Sequence, residues 1–416
     1  MNRHASGWLR MAVGTGLFLS AVGARSEAPL ARATPEQRKL FEEIRPLILR
    51  AAQPPFPALA ESPESWFWTV SARMTPLLRA HAYSKDPVFL EAFVPIMEHV
   101  LSQRFIHPTK PEWSGWWHYQ DAQRGQAMID HDALVFFIPA MLFAREVRGD
   151  PALQARYGAK AEAWMKDAEV GIRYWDARGC WNDLDEQTGW YSSYYDSPEA
   201  GTGRLRKRED IYAGDTIPYN KVHCLFEALT MVYRLTGDPW YRARMQKAAN
   251  FWRRHWREDE QHVEWNYRDH FLPSHYESGV LGQGKTKTGA WVHPKGGYYT
   301  IDVQGAVLLY DVGLFARADI EKLLKTHLEF MWRGDTPPTF RHINGTYDTS
   351  GAANRGRGFL WASLAHFSPK IRELWAAQIE VSRGSWNWPS AALDYLIEMS
   401  RPVSWEPRHV REILQR

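Results

Sequence analysis

Apolar residues recur along this chain at intervals of three and four, the spacing that lines one face of an α-helix. Leu40, Ile44, Leu47 and Ile48 share a face, and so do Phe89, Phe93, Ile96, Met97 and Val100. The strict alternation of a half-buried strand is scarce. The pattern predicts helices over residues 36–50, 63–82, 87–104, 131–148, 151–175, 217–236, 239–257, 297–313, 317–333, 356–367, 369–381 and 387–400. Start signals punctuate them. Ser84-Lys85-Asp86-Pro87, Arg148-Gly149-Asp150-Pro151 and Thr236-Gly237-Asp238-Pro239 each put a Gly or Lys where one helix ends, an Asp where the next is capped and a Pro at its first position. Ser368-Pro369 repeats the device before Ile371.

These signals describe consecutive helical hairpins joined by tight turns. So many paired helices need a closed ring to bury their inner faces. The expected fold is therefore all-α, an (α/α) toroid of six or seven helical hairpins. Three connections are long, at residues 105–130, 177–216 and 258–296, and rich in Trp, Tyr, His and Asp. Loops of that length in a compact domain carry function when they are ordered. No linker marks off a second unit, so residues 29–416 are expected to form a single toroid catalytic domain.

Residues 11–22 form an apolar run too short to span a bilayer comfortably, preceded by Arg3 and Arg10 and followed by small residues. Residues 1–28 thus read as a signal peptide, cut after Ala24 or Ala28. The protein is expected to be exported, periplasmic or secreted, with no membrane insertion once the signal is removed. Its two cysteines, Cys180 and Cys224, form one pair or two packed thiols, too few for a disulfide scaffold. With 416 residues, 44% of them hydrophobic, a large core needs no such staples. A net charge of +3 tolerates an anionic ligand without requiring one.

Several function classes drop out. No nucleic-acid-binding motif is present. The sixteen histidines include no HExxH arrangement, and Asp183-Leu184-Asp185-Glu186 lacks the glycine and spacing of a calcium loop, so neither metal nor other cofactor is expected. Gly279-Val280-Leu281-Gly282-Gln283-Gly284-Lys285-Thr286 matches the phosphate-binding loop letter for letter. That loop works between a buried strand and a helix, and the flanking residues make neither.

The candidate chemistry lies between Asp210 and Tyr299. Asn220 and His223, three apart near the start of a helix, share one face, with Tyr219 and Glu227 as neighbours. Arg268 and His270 follow Trp265-Asn266-Tyr267, and Arg can grip a carboxylate through two parallel bonds. His293, Tyr298 and Tyr299 surround Gly296-Gly297, a turn that opens a helix whose positive end favours a phenolate. One of the two tyrosines faces the core and the other the cleft; Tyr298 is assigned to the cleft. Twenty-one tryptophans are several-fold above ordinary usage, and they either stack on sugar rings or fill gaps between helices. Trp116-Trp117-His118-Tyr119 and the stretch around Tyr194 are candidate sugar platforms, and His131-Asp132 opens a helix at the cleft floor or caps it.

On these residues the chain resembles the helical-toroid polysaccharide lyases of the alginate and glucuronan lyase type. The resemblance implies β-elimination on a uronic-acid polysaccharide, leaving a 4,5-unsaturated end. Asn220 and Arg268 would neutralise the carboxylate, Tyr298 would act as acid and base, and His223 would support it. His270, His293, Tyr299, Trp116, Trp117, His131, Tyr194 and Lys221 would bind the anionic substrate. Lys221 and Val222 separate Asn220 from His223, so His270 and His293 remain alternatives for the imidazole. Two rivals share the toroid. A glycoside hydrolase of the unsaturated-uronyl type would need cleft carboxylates, for which Asp132, Asp210 and Asp215 are candidates. A non-catalytic glycan binder would need only the aromatic platforms.

Overall fold

The computed structural model describes residues 28–59, 63–106, 109–116, 126–127, 129–192, 194–195, 216–269, 277–280, 297–347 and 358–408. Almost all of the signal segment, along with Trp117, Asp210, Asp215, His270 and His293, lies outside them. The helices are α1 (Pro35–Ala51), α2 (Pro63–Ser84), α3 (Val88–Ser102), α4 (Ile129–Asp132), α5 (Ile138–Arg148), α6 (Pro151–Ala177), α7 (Tyr219–Thr236), α8 (Pro239–Arg254), α9 (Tyr298–Asp311), α10 (Arg317–Lys325), α11 (Pro369–Val381) and α12 (Trp388–Met399).

The capping grammar works as the sequence predicts. The Asp150 carboxylate accepts from the Ala152 and Leu153 amides, Asp238 accepts from Trp240, and the Ser368 hydroxyl accepts from Ile371. Each satisfies a helix-end donor that the helix itself cannot. Gly237 closes α7 at φ 72°, and Lys85 takes the same left-handed conformation after α2, at φ 58°.

Packing makes the ring. Going round it, α2, α5, α7, α9 and a 3-10 turn at Ala362–His366 pack side by side as an inner layer, which α12 completes by packing on α2 and on α11. Each is backed by an outer element: α3, α6, α8, α10 and α11 behind the first five, and α1 behind α12. The first described helix thus closes the ring against the last, and α12 also packs on α2. This is the expected (α/α) toroid, with six inner–outer pairs among the described residues.

Two departures from the periodicity are informative. The helix predicted over 131–148 is interrupted by a π-helical turn at Ala133–Phe137. Here Phe137 packs on Gly171 of α6, where an added Cβ would lie 2.7 Å from the ring. The helix predicted over 356–367 shrinks to the 3-10 turn, so the fifth inner position carries only five helical residues. The long connections hold short hairpins. Trp181–Asp183 pairs with Gly189–Tyr191, Arg257–Glu258 pairs with Val263–Glu264, and Gln126–Ala127 joins Tyr194–Tyr195 from another loop. Cys180 and Cys224 are both buried free thiols. No described helix is long and apolar enough to cross a membrane.

His327 lies in a second π-helical turn, Thr326–Met331, between the rings of Phe340 and Trp361 at 4.7 and 4.9 Å. Its Nε2 accepts from the Trp361 amide at 3.2 Å, and burial holds its pKa down to about 3. The unfolded chain protonates this ring near its ordinary value, whereas the folded protein resists until about pH 3. In that window the unfolded state binds more protons, so His327 makes stability fall as pH drops, by about 1.4 kcal/mol per unit. Thermal melts of His327→Gln, which keeps an acceptor but does not titrate, should show a shallower loss of stability between pH 6 and pH 4. An unchanged slope would assign the acid sensitivity elsewhere.

Candidate functional site

The long connections all lead into the N-terminal ends of inner helices, so one end of the ring is built from loops and helix starts. The other end has the short Asp-Pro turns.

At the loop-built end, α7 is tied to the segment before α9. The Tyr219 amide donates to the Tyr267 carbonyl at 3.1 Å. The Tyr219 hydroxyl donates to Asp269 Oδ2 at 2.9 Å, and Asn266 Nδ2 donates to Asp269 Oδ1 at 2.6 Å. Arg257 in turn donates to Asn266 Oδ1 at 3.0 Å. A second buried carboxylate, Asp302 on α9, meets His223 Nδ1 on α7 through Oδ1 at 2.8 Å. Its Oδ2 accepts from Trp265 Nε1, also at 2.8 Å. Burial pushes the Asp302 carboxyl up, while His223 and Trp265 pull it back. The His223 ring packs on Trp252 and Phe226, with centroids 4.3 and 5.0 Å away.

Fully buried polar atoms at this end without a hydrogen-bond partner include both oxygens of Asp130, both amide atoms of Asn220, His223 Nε2 and Trp252 Nε1. A buried polar group left unpaired costs about 1–3 kcal/mol, so such groups are normally matched or reserved for something that binds. Asp130 opens α4, the short helix that leads into the π-helical turn. Lys221 Nζ stands 3.7 Å from its Oδ2. Burial pushes the Asp130 carboxyl above its ordinary range, with Lys221 opposing. Next to it, His131 is stacked on Phe67 at 4.0 Å, with the rings 7° from parallel.

The other residues singled out in the sequence divide clearly. Tyr299 is buried, with its hydroxyl on His342 Nδ1, and burial pushes the phenol well above its ordinary value. Tyr298 faces outward, 37% exposed, with its ring 5.3 Å from that of Tyr267. Arg268 lies half-buried beside Asp269. Trp116 is not a sugar platform: it is 2% exposed, and its Nε1 donates to the Val100 carbonyl. Asp132 accepts from Trp175 Nε1 at 2.9 Å and from the Trp116 amide, and Arg178 lies 3.8 Å away, so it ties elements together. The backbone of Tyr194 pairs with Ala127. Sequence reasoning passed over Asp130, Asp269 and Asp302. Asp130 carried a usable signal, an acid in the first turn of a helix that follows a long aromatic loop. Among the described residues no group of three His, Cys, Asp or Glu is placed to hold a metal ion.

No protein family and no curated protein matches the chain. Solved structures similar to it include the GH76A α-1,6-mannanase of Salegentibacter sp. HEL1_6, at 10% identity and a TM-score of 0.45, covering 80% of this chain and 88% of that one. An inactive variant of that enzyme in complex with α-1,6-mannotriose gives 10% identity and a TM-score of 0.46, covering 80% and 90%. A second inactive variant, with α-1,6-mannotetraose, gives 12% and 0.41, covering 80% and 76%. These are glycoside hydrolases, so the expectation of an alginate or glucuronan lyase is corrected. Of the residues named for elimination, His223 is held through Nδ1 by Asp302 and packs on Trp252, Tyr299 lies in the core, and Tyr298 is exposed.

Gly305 of α9 passes so close to α7 that an added Cβ would lie 2.8 Å from His223 Cγ and 2.9 Å from its Cβ. Gly305→Ala must therefore push the two helices apart or swing the imidazole off Asp302. We expect a loss of about 1–3 kcal/mol, read as a lower urea midpoint. A midpoint unchanged from the parent would show that the contact has slack.

Proposed function

We propose that this protein is an exported glycoside hydrolase that cleaves a neutral polysaccharide at the loop-built end of the ring, with Asp130 as its general acid. The observation that carries the reading is the fully buried carboxyl of Asp130, pushed above its ordinary range by burial, with only Lys221 at 3.7 Å and His131 at 4.0 Å as ionic neighbours among the described residues. Glycosidic cleavage needs a carboxylic acid that keeps its proton until it delivers it to the departing oxygen. Burial favours the protonated form of Asp130, with Lys221 opposing. Once the proton is gone, Lys221 steadies the carboxylate left behind.

Asn220 and His223 suit sugar hydroxyls. The Asn220 amide offers a donor and an acceptor. Donation by Trp265 to Asp302 favours the ionised carboxylate, which takes Nδ1–H of His223 and leaves Nε2 as an acceptor. Charge supports a neutral substrate over a uronate. Among the described residues, Asp130, Asp132, Asp269, Asp302 and Glu264 stand against Lys221, Arg178, Arg257 and Arg268, which leaves no surplus of positive charge to hold a carboxylated chain. The N-terminal signal pattern supports export.

Two experiments test this. Asp130→Asn should lower the release of reducing ends from a neutral polysaccharide by about 10²–10⁴-fold while leaving binding intact. Near-normal turnover in this variant would remove Asp130 from the chemistry. The wild-type kcat/KM should fall as pH rises through the raised pKa of Asp130, because the acid form is the active one. An aryl glycoside whose leaving group needs no proton should lose that alkaline limb; a limb of equal depth on both substrates would argue against acid catalysis by this group.

A further inference from the structure

The cavity inside the ring runs along its whole length. About 780 Å³ in volume, it is lined from Thr300 to Asp311 on α9 and from Asn387 to Glu398 on α12. Between them the shortened fifth inner element leaves part of α11 to form the wall. The two halves of the cavity differ in chemistry. At mid-height, Arg79 on α2 reaches Asp394 on α12 at 2.8 Å and Glu227 on α7 at 3.3 Å. At the short-turn end the segment after α12 lies across the ring. The Ser404 amide donates to the His366 carbonyl at 2.9 Å, the Arg408 amide to Asp311 at 2.9 Å, and the Arg408 guanidinium to Glu398 at 3.0 Å. Those acceptors stand at the ends of the fifth inner element, α9 and α12. The lower half is thus braced by paired charges, and the chain crosses its outlet.

The half that faces the loop-built end is uncharged. Among the described residues it takes Thr300 and Gln304 from α9, Gln378 and Ser382 from the end of α11, and Asn387 from the start of α12. Amides and hydroxyls both donate and accept, so they suit a neutral molecule rich in hydroxyls and give no counter-charge to an ionic one. The size is that of a ligand pocket.

An aromatic stands on the lip of this mouth. Ser382 and Asn387 belong to the turn between α11 and α12, and between them in sequence Trp386 is 86% exposed. The turn is ordered: the Ser385 amide donates to the Ser382 carbonyl at 2.9 Å, the Trp388 amide to the Ser385 carbonyl at 3.1 Å, and the Ser385 hydroxyl to Asn387 Oδ1 at 2.9 Å. An indole held in water by such a turn offers a stacking face to the apolar side of a sugar ring. The turn leads into α12, an inner helix, so Trp386 shares the loop-built rim with Asp130. α12 packs on α2, and α2 packs on the π-helical turn that follows Asp130. Two inner positions separate the two residues, about 20 Å or less at ordinary helix spacing. That is a span of several sugars.

We propose that this mouth is a remote arm of the cleavage site, with Trp386 stacking a sugar several units from the scissile bond and the Gln304 and Gln378 amides holding its neighbours. The proposal rests on the reading of Asp130 as the acid, and it makes the enzyme selective for long neutral chains. The test is release of reducing ends by the full chain from α-1,6-mannan, amylose, xylan and β-1,3-glucan, and from the trisaccharide of each. For the polymer that is cut, Trp386→Ala should lower the ratio of kcat/KM on polymer to kcat/KM on trisaccharide about tenfold, with the change carried by KM. Gln378→Ala should lower it about threefold. Calorimetry of the Asp130→Asn chain with the same polymers should show the same tenfold weakening when Trp386→Ala is added. The proposal is overturned if no polymer is bound, if the ratio and the affinities do not change, or if polymer and trisaccharide lose equally. Full hydrolytic activity in the Asp130→Asn chain would sink the catalytic reading alone, since the Trp386 comparison on long and short chains stands without it.

Discussion

One buried carboxylate organises the loop-built end of this ring. Asp302 accepts a hydrogen bond from α7 through His223 and another from the pre-α9 loop through Trp265. A charge or a partly charged pair in such a place is costly unless its bonds are complete. Completing them requires α7 and α9 to approach until only Gly305 fits between them. Helix spacing, the direction of an imidazole and the course of a loop are thus one constraint. Asp269 repeats the arrangement a short way off, gathering Tyr219 and Asn266 onto α7. The unpartnered atoms of Asn220 and His223 are presented by a frame that has little freedom to retract them.

The rest of the ring balances regularity against two irregularities. The π-helical turn at Ala133–Phe137 follows directly after Asp130-His131-Asp132. An extra residue in a helical turn weakens local hydrogen bonding, and such turns recur at functional sites. Just before it, Asp132 is anchored by Trp175 while Asp130, two residues earlier, makes no hydrogen bond. The second irregularity is the missing length of the fifth inner element, which a ring of uniform hairpins would have filled with side chains.

Much of the architecture was legible in the sequence because it rests on local chemistry. Asp150, Asp238 and Ser368 cap their helices for reasons contained within four residues, and the 3.6-residue periodicity of Phe89 to Val100 needs no knowledge of the partner helix. What escaped depends on distant partners. Nothing around residue 133 announces a π-helical turn, and the close fit of Phe137 on Gly171 of another helix is not written in the local sequence. Trp116 reads as a platform until its ring nitrogen is found on the Val100 carbonyl. The lyase expectation rested on side-chain type: Asn, His, Arg and Tyr fit elimination by type, but type does not reveal distant partners such as Asp302 on His223. Asp130 was overlooked because a carboxylate gains its chemistry from burial, and burial is a property of the folded ring.

The closing contact of the ring has a consequence in time. Glu43 on α1 and Arg383 just after α11 are 340 residues apart in sequence, and α1 packs on α12. Joining ends that distant costs chain entropy that no earlier contact repays, and contacts of that span form late. Until the final hairpin is synthesised, α1 has only α2 and α3 beside it, through Phe41 against Tyr83 and Phe89, and lacks its cover by α12. The nascent chain therefore carries an adhesive leading helix through most of its production, a burden that falls on whatever escorts it before the circle shuts.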